Sequence, residues 1–326
     1  MFCDICMPKP LEFEISFGSA DNQSHISSIH RYLEEIGLLV HSTADSVTVK
    51  EEAMKGLLDY INQHMDPSSI QFRTDKNEWK PIEEAAELAG TQWIDRIIDE
   101  GHVHFHVQPI VDANQSLYAY EMLARFTGDQ DETLSPYEVF QTAKLRNRMY
   151  ALDRICRINA VKQAAALTTK VFINFIPTSI YSPEHCLRTT VQLANDLNIS
   201  PSRFVFEVVE TENVKDLAHL KRILAYYRAK GFQYALDDVG AGYNTIEMIH
   251  EMKPYYTKLD MHHVRGIHKD EEKQQTARAV LEANRAIGSI PLAEGVEEEA
   301  EFNWLKDAGF QLFQGYLFGK PAPIAG

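Results

Sequence analysis

Residues 233–260 read QYALDDVGAGYNTIEMIHEMKPYYTKLD, and the order of residue types in this stretch decides the fold. Tyr234, Ala235 and Leu236 form a short apolar run of the kind found in strands, and Asp237 and Asp238 fall where that strand should stop. Two adjacent carboxylates repel one another, and near a closed interior they are costly unless a cation offsets their charge. A divalent metal ion meets that need. Gly240 and Gly242 let the backbone turn sharply and approach a ligand closely. The next apolar piece, Tyr255 to Leu259, puts Lys258 and Asp260 on one side of a strand, because side chains two apart share a face. Acids, turn and lysine read as one site.

The same design recurs on both sides of this stretch. VFINFI carries Asn174, RFVFEVVE ends with Glu207 and Glu210, PLAEGVE holds Glu294 and Glu297, YAYEMLARF holds Glu121 and Arg125, and FQLFQGYLF holds Gln314. Helical patterns lie between most of these runs, and such alternation argues for parallel strands joined by crossover helices. From Asn174 onward the polar ends recur roughly every 20 to 35 residues, near the ~30 expected when ~250 residues build a (β/α)8 barrel. In that α/β fold, functional groups gather at the C-terminal ends of the strands. Glu121, Asn174, Glu207, Asp237, Asp238, Lys258 and Glu294 are therefore expected to converge. A single acid at a strand end is more often a helix cap or a surface charge than a functional group, and an Asp pair before glycine reads equally well as an Asx turn. Seven such groups in register point to a site. Hard oxygen donors with one amide favour magnesium or manganese over zinc.

Composition narrows the function classes. The chain has 326 residues, 44% of them hydrophobic, enough for one large domain and a small one. A formal net charge of −15 argues against a nucleic-acid polymer or an anionic membrane as partner. No apolar run approaches the ~18 residues that span a bilayer, and MFCDICMPKP lacks the form of a signal peptide, so a cytoplasmic protein is expected. Cys3, Cys6, Cys156 and Cys186 are too few for a disulfide framework and read as reduced thiols.

Residues 1–80 read as a small α/β module for regulatory or dimerising use, and residues 81–326 as the barrel, with the polar segment Thr74 to Lys80 between them. In the module, LEFEISF alternates like a half-buried strand and HISSIHRYLEEIG is a helix closed by Gly37. A strand pair between Leu38 and Val49, a second helix EEAMKGLLDYINQHM and a strand SIQFR follow. Ile82 to Glu100 is helical by pattern, and Val103 to Val111 with Leu117 to Leu123 start the barrel as a hairpin. His102, His104 and His106 alternate on one strand face with no acid between them and read as solvated imidazoles. Tyr137 to Thr169 reads as one or two barrel helices.

Taken in order, QPI at Gln108 to Ile110, EMLAR at Glu121 to Arg125, Asn174 in INFIP, EVVE at Glu207 to Glu210, DDVGAGY at Asp237 to Tyr243, KLD at Lys258 to Asp260, AEGVE at Ala293 to Glu297 and QGYLFGKP at Gln314 to Pro321 resemble the EAL-domain family of cyclic-di-GMP phosphodiesterases. The resemblance runs from about Trp93 to Pro323. It implies a modified (β/α)8 barrel whose first strand is antiparallel, commonly paired as a homodimer, which hydrolyses cyclic-di-GMP to linear pGpG. It also implies that Glu121, Asn174, Glu207 and Asp237 hold one Mg²⁺ or Mn²⁺, and that Asp237 and Asp238 engage a second, with Glu294 nearby. Lys258 would orient the attacking water or contact the phosphate. Gln108, Leu123, Arg125, Asp260 and Gln314 would lie on the substrate side, Glu210 would anchor the turn after Asp238, and Glu297 would support the site. Met122, Ile176, Val209, Val239 and Ala241 depart from the family pattern without removing a metal ligand. The implied enzyme is thus slow or regulated, and the alternative is a cyclic-di-GMP receptor with little turnover.

Overall fold

Strict alternation along Glu12–Phe17 (β1) buries Phe13, Ile15 and Phe17 and turns Glu12, Glu14 and Ser16 outward, as one apolar face of a sheet requires. The computed structural model describes residues 9–74, 77–128, 130–208, 217–240 and 245–324. It divides the chain into two compact units, Met1–Glu100 with Tyr137–Arg148, and Gly101–Pro136 with Met149–Gly326. In the first unit β1 pairs antiparallel with Ser46–Lys50 (β3) and Ile70–Thr74 (β4), with Leu39–Ser42 (β2) and Lys80–Pro81 (β5) at the edges. The helices Ile26–Glu35 and Met54–His64 cover one face through Ile29, Leu33, Leu57 and Ile61.

The helical pattern of Tyr137 to Thr169 does not belong wholly to the barrel. Residues Tyr137–Arg148 join the first unit, as does everything from residue 81 to Glu100. The physical reason is Arg146, whose buried guanidinium lies 2.6 Å from Glu51 Oε1 and 2.5 Å from Asp95 Oδ2. Arg148 holds the other oxygen of Asp95 at 2.7 Å. Arg146→Met is expected to destabilise this unit by about 3–5 kcal/mol, because it leaves Glu51 buried without its cation. Adding Glu51→Met should recover most of the loss in denaturant titrations. A single variant within about 1 kcal/mol of the parent would contradict this ledger.

The second unit is a closed barrel of eight strands. Val103–Asp112 (β6) pairs antiparallel with Leu117–Thr127 (β7), as the hairpin reading expects. A short Thr133–Leu134 (β8) flanks β7. Lys170–Phe175 (β9), Phe204–Val208 (β10), Gln233–Val239 (β11), Tyr256–Leu259 (β12), Ile290–Ala293 (β13) and Leu312–Gln314 (β14) follow in parallel from β7. The ring closes where β14 meets β6 antiparallel, and Ala322–Pro323 (β15) lies along β6. One antiparallel strand in an otherwise parallel ring matches the expected modification.

Inside the barrel the residues form two layers. Ile110, Ala119, Phe172, Val205, Ala235, Tyr256, Leu292 and Leu312 pack as one buried apolar cluster, one residue from each strand. Side chains two apart share a face. Two residues on from the seven members after Ile110 stand Glu121, Asn174, Glu207, Asp237, Lys258, Glu294 and Gln314, and two residues back from Ile110, on the reversed strand, stands Gln108. The apolar layer is a floor, and the polar layer lies on it.

Candidate metal centre

Lys258 organises the polar layer. Its Nζ is 2.6 Å from Glu207 Oε1, 2.6 Å from Glu294 Oε1, 3.0 Å from Asp237 Oδ1 and 3.9 Å from Glu121 Oε1, and its side chain is 1% exposed. Burial alone would push the ammonium pKa down, but the four carboxylates outweigh it and hold the pKa well above the usual lysine range. Glu207 and Glu294 are displaced upward, by burial first and by their acidic neighbours, with Lys258 opposing. Glu121 moves the other way. Burial opposes its charge, yet Lys258 and hydrogen bonds from Gln314 and Asn174 outweigh that and lower its pKa. Gln314 Nε2 donates to Glu121 Oε2 at 2.5 Å and to Gln108 Oε1 at 3.1 Å, and Asn174 Nδ2 donates to Glu121 Oε1 at 3.1 Å.

Adjacent residues of a regular strand face opposite ways, so both acids of the Asp237-Asp238 pair could not enter one site without a local irregularity. The register between β11 and β12 shifts between Leu236 and Val239, and Asp238 has φ +50°. This bulge turns Asp238 back toward the barrel axis, and Asp is among the residues that tolerate the left-handed region. Carboxylate oxygens of Asp237, Asp238 and Glu294 then all lie within 4.8 Å of one another. Gly240 follows with φ +97°, where a Cβ would stand 2.7 Å from His263 Cδ2, while His263 Nε2 meets Gly240 O at 2.7 Å. A side chain at 240 would press the turn away from His263.

The Asp238 carboxyl is pushed up to about 7, first by burial and then by the charge of Asp237, with Asp260 adding to the effect. Between the unfolded carboxyl value near 4 and about 7 the folded chain keeps a proton that the unfolded chain has lost, so stability falls as pH rises through that window. Asp238→Asn removes the term. In chelator, the thermal midpoint of this variant is expected to gain on the parent between pH 5 and pH 8, and a constant difference would contradict the assignment.

Other expected site residues are less central. Leu123 and Arg125 continue the inward face of β7 beyond Glu121, and Arg125 Nη1 donates to Ala124 O at 2.9 Å. Asp260 does not lie on the strand with Lys258 but caps the helix Met261–Val264, accepting from the His262 backbone N–H at 2.8 Å. Glu297 is ion-paired with Arg265, outside the carboxylate cluster. Glu210, Val209, Ala241 and Gly242, with Cys3 and Cys6, lie outside the described residues. His104 and His106 stand with ring centroids 5.9 Å apart, and burial followed by Arg125 lowers the pKa of His106. Sequence reasoning missed Asp153 and Arg157, a buried pair behind β9, because two charges four apart on a helix carry no mark of burial.

The donor set suits hard divalent ions. Glu121, Glu207, Asp237, Asp238 and Glu294 oppose a single buried ammonium, a formal excess of four negative charges that two divalent ions would cancel. Glu207 is fully buried, and its Oε2 has no hydrogen-bond partner among the described residues. Such an atom is left for a ligand to satisfy.

The description "EAL domain" belongs to the family model that matches residues 91–321. A standalone versatile EAL protein from Vibrio cholerae O395, solved in its c-di-GMP-bound form, is 37% identical over 68% of this chain and 93% of its own, with a TM-score of 0.61. Klebsiella pneumoniae BlrP1, in a calcium and cy-diGMP complex, covers 97% of each chain with a TM-score of 0.60 at 21% identity, a likeness of fold alone. The probable cyclic di-GMP phosphodiesterase PdeG of Escherichia coli K12 is 28% identical over 69% of this chain. That match spans 46% of PdeG, so the chain corresponds to less than half of that relative. With the family model matched over most of its length and the polar layer lying where the family motifs fall, the chain belongs to the EAL domain family.

Proposed function

We propose that this chain hydrolyses cyclic-di-GMP to linear pGpG, with two Mg²⁺ or Mn²⁺ ions assisting in-line attack of water on a phosphodiester. The observation that carries the reading is the convergence of Glu121, Glu207, Asp237 and Glu294 on Lys258 at the C-terminal end of the barrel. Glu121, Asn174, Glu207 and Asp237 would hold one ion, and Asp237, Asp238 and Glu294 the other. When bound, such ions lower the pKa of water and stabilise the attacking and leaving oxygens.

The chain's own groups account for the rest. Gln314 donates to Glu121 and also to Gln108 at 3.1 Å, and Gln108 in turn donates to Gly319 O at 3.2 Å. Lys258, a buried cation held among the carboxylates, would orient the attacking water or contact the phosphate. Leu123 and Arg125, further along β7, line the approach on the substrate side. Glu210 and Glu297 would support the turn and the rim. A homodimer in the cytoplasm, with residues 1–80 as a regulatory module, completes the proposal. Among the described residues no helix is long and apolar enough to cross a membrane.

One observation favours a second reading, a receptor that binds cyclic-di-GMP with little turnover. Val239, fully buried, takes the place of the family's phenylalanine beside Asp238, and a site loosened by ~1 Å can lose on the order of 10²-fold in rate. Chromatographic detection of pGpG from cyclic-di-GMP and Mn²⁺, with Glu121→Ala prepared identically, separates the two. Product from the parent alone supports the enzyme. Binding without product supports the receptor.

A further inference from the structure

We infer that Asp153 is a positioning residue for Asn174, and that the backbone N–H of Ile176 is the point through which it acts. The inference rests on the metal reading above. Among the described residues the β9–β10 ladder runs to the pair Phe175 and Val208, one residue after Asn174 faces Glu207. Asp153, on the helix Met149–Gln163, adds a constraint just beyond Asn174: its Oδ1 accepts from Ile176 N at 2.8 Å.

The acceptor is itself held. Arg157, one turn later on the same helix, donates from Nε to Asp153 Oδ2 at 2.9 Å, and its Nη1 donates to Thr190 Oγ1 at 3.3 Å. Both members are buried, at 2% and 0% exposure. Burial would lower the Arg157 pKa, but the neighbouring Asp153 carboxylate more than offsets it. A buried ion pair is weak evidence of stabilisation, since an apolar pair of similar volume often serves as well. What an apolar pair cannot do is leave one carboxylate oxygen free to take a backbone N–H beside a ligand. Partners of this kind, one step behind a ligand, typically change metal affinity by 10–100-fold when removed.

The test reads Mn²⁺ binding directly, by competition with a chromophoric chelator, on the full chain. Asp153→Asn keeps an oxygen at the acceptor position and is expected to bind Mn²⁺ within about threefold of the parent. Asp153→Ala is expected to bind at least about tenfold more weakly. Should the alanine variant not fold, Asp153→Glu keeps a carboxylate for Arg157 but moves it by a methylene, and the same weakening is expected. Thr190→Val loosens Arg157 from the other side and should lower the thermal midpoint without moving Mn²⁺ affinity, which separates positioning from mere stability. Alanine or glutamate variants within twofold of the parent would overturn the inference while leaving the metal reading intact. A parent that binds no Mn²⁺ would overturn both.

Discussion

Lys258→Met is expected to destabilise the barrel in chelator by about 3–5 kcal/mol, and Mn²⁺ is expected to return much of that stability. The lysine is the only cation within 4 Å of these carboxylates among the described residues, and it is almost fully buried. Methionine fills a similar volume, so the loss reports charge and not packing. Without the ammonium the folded site can lower its energy only by taking up protons, which raises the pKa values of Glu207 and Glu294 further. The folded variant then binds more protons than the unfolded chain, and its deficit is expected to grow from pH 6 to pH 8. Ions at about 100 times their dissociation constant add ~2.7 kcal/mol to whichever state binds them. Urea titrations at two pH values, each with chelator and with Mn²⁺, measure all four corners. Coincident curves for parent and variant in chelator would mean that Lys258 does not neutralise the site.

The barrel was legible because each strand repeats one two-residue rule. Phe172 and Asn174, Val205 and Glu207, and Ala235 and Asp237 are apolar and polar residues on the same inward face, so the sequence announces floor and site together. What it does not announce is any feature that breaks a local rule or joins distant segments. Asp238 enters the site only through a bulge with φ +50°, and nothing in DDVG distinguishes that bulge from an ordinary turn. Asp260 falls just beyond the strand of Lys258, which stops at Leu259, and serves as the cap of the next helix. Tyr137–Arg148 carries helix-forming residues like those of any barrel helix, and its allegiance to the first unit is set by Glu51, which lies 95 positions from Arg146. Long-range ion pairs leave no periodicity to read.

Asp237→Asn is expected to reduce pGpG formation by at least about 10²-fold while leaving the fold intact, and Glu121→Ala to do the same. The two substitutions fail for different reasons. In the proposal Asp237 is the residue the two ions share; it lies 3.0 Å from Lys258, with a carboxylate oxygen within 4.8 Å of those of Asp238 and Glu294. An amide there keeps the shape but gives up a charge needed by both ions, so turnover should fall and Mn²⁺ dependence should move to higher concentration. Loss of a carboxylate also relieves repulsion around Lys258, and the variant should be no less stable than the parent in chelator. Glu121 sits at the other edge, 3.9 Å from Lys258, held by Gln314 and Asn174. Alanine leaves those two amides without their acceptor, so this variant should lose both turnover and some stability. Parallel assays of pGpG formation, Mn²⁺ half-saturation and thermal midpoint distinguish the two patterns. Hydrolysis at the parent rate by the asparagine variant would remove Asp237 from the metal site and with it the two-ion reading.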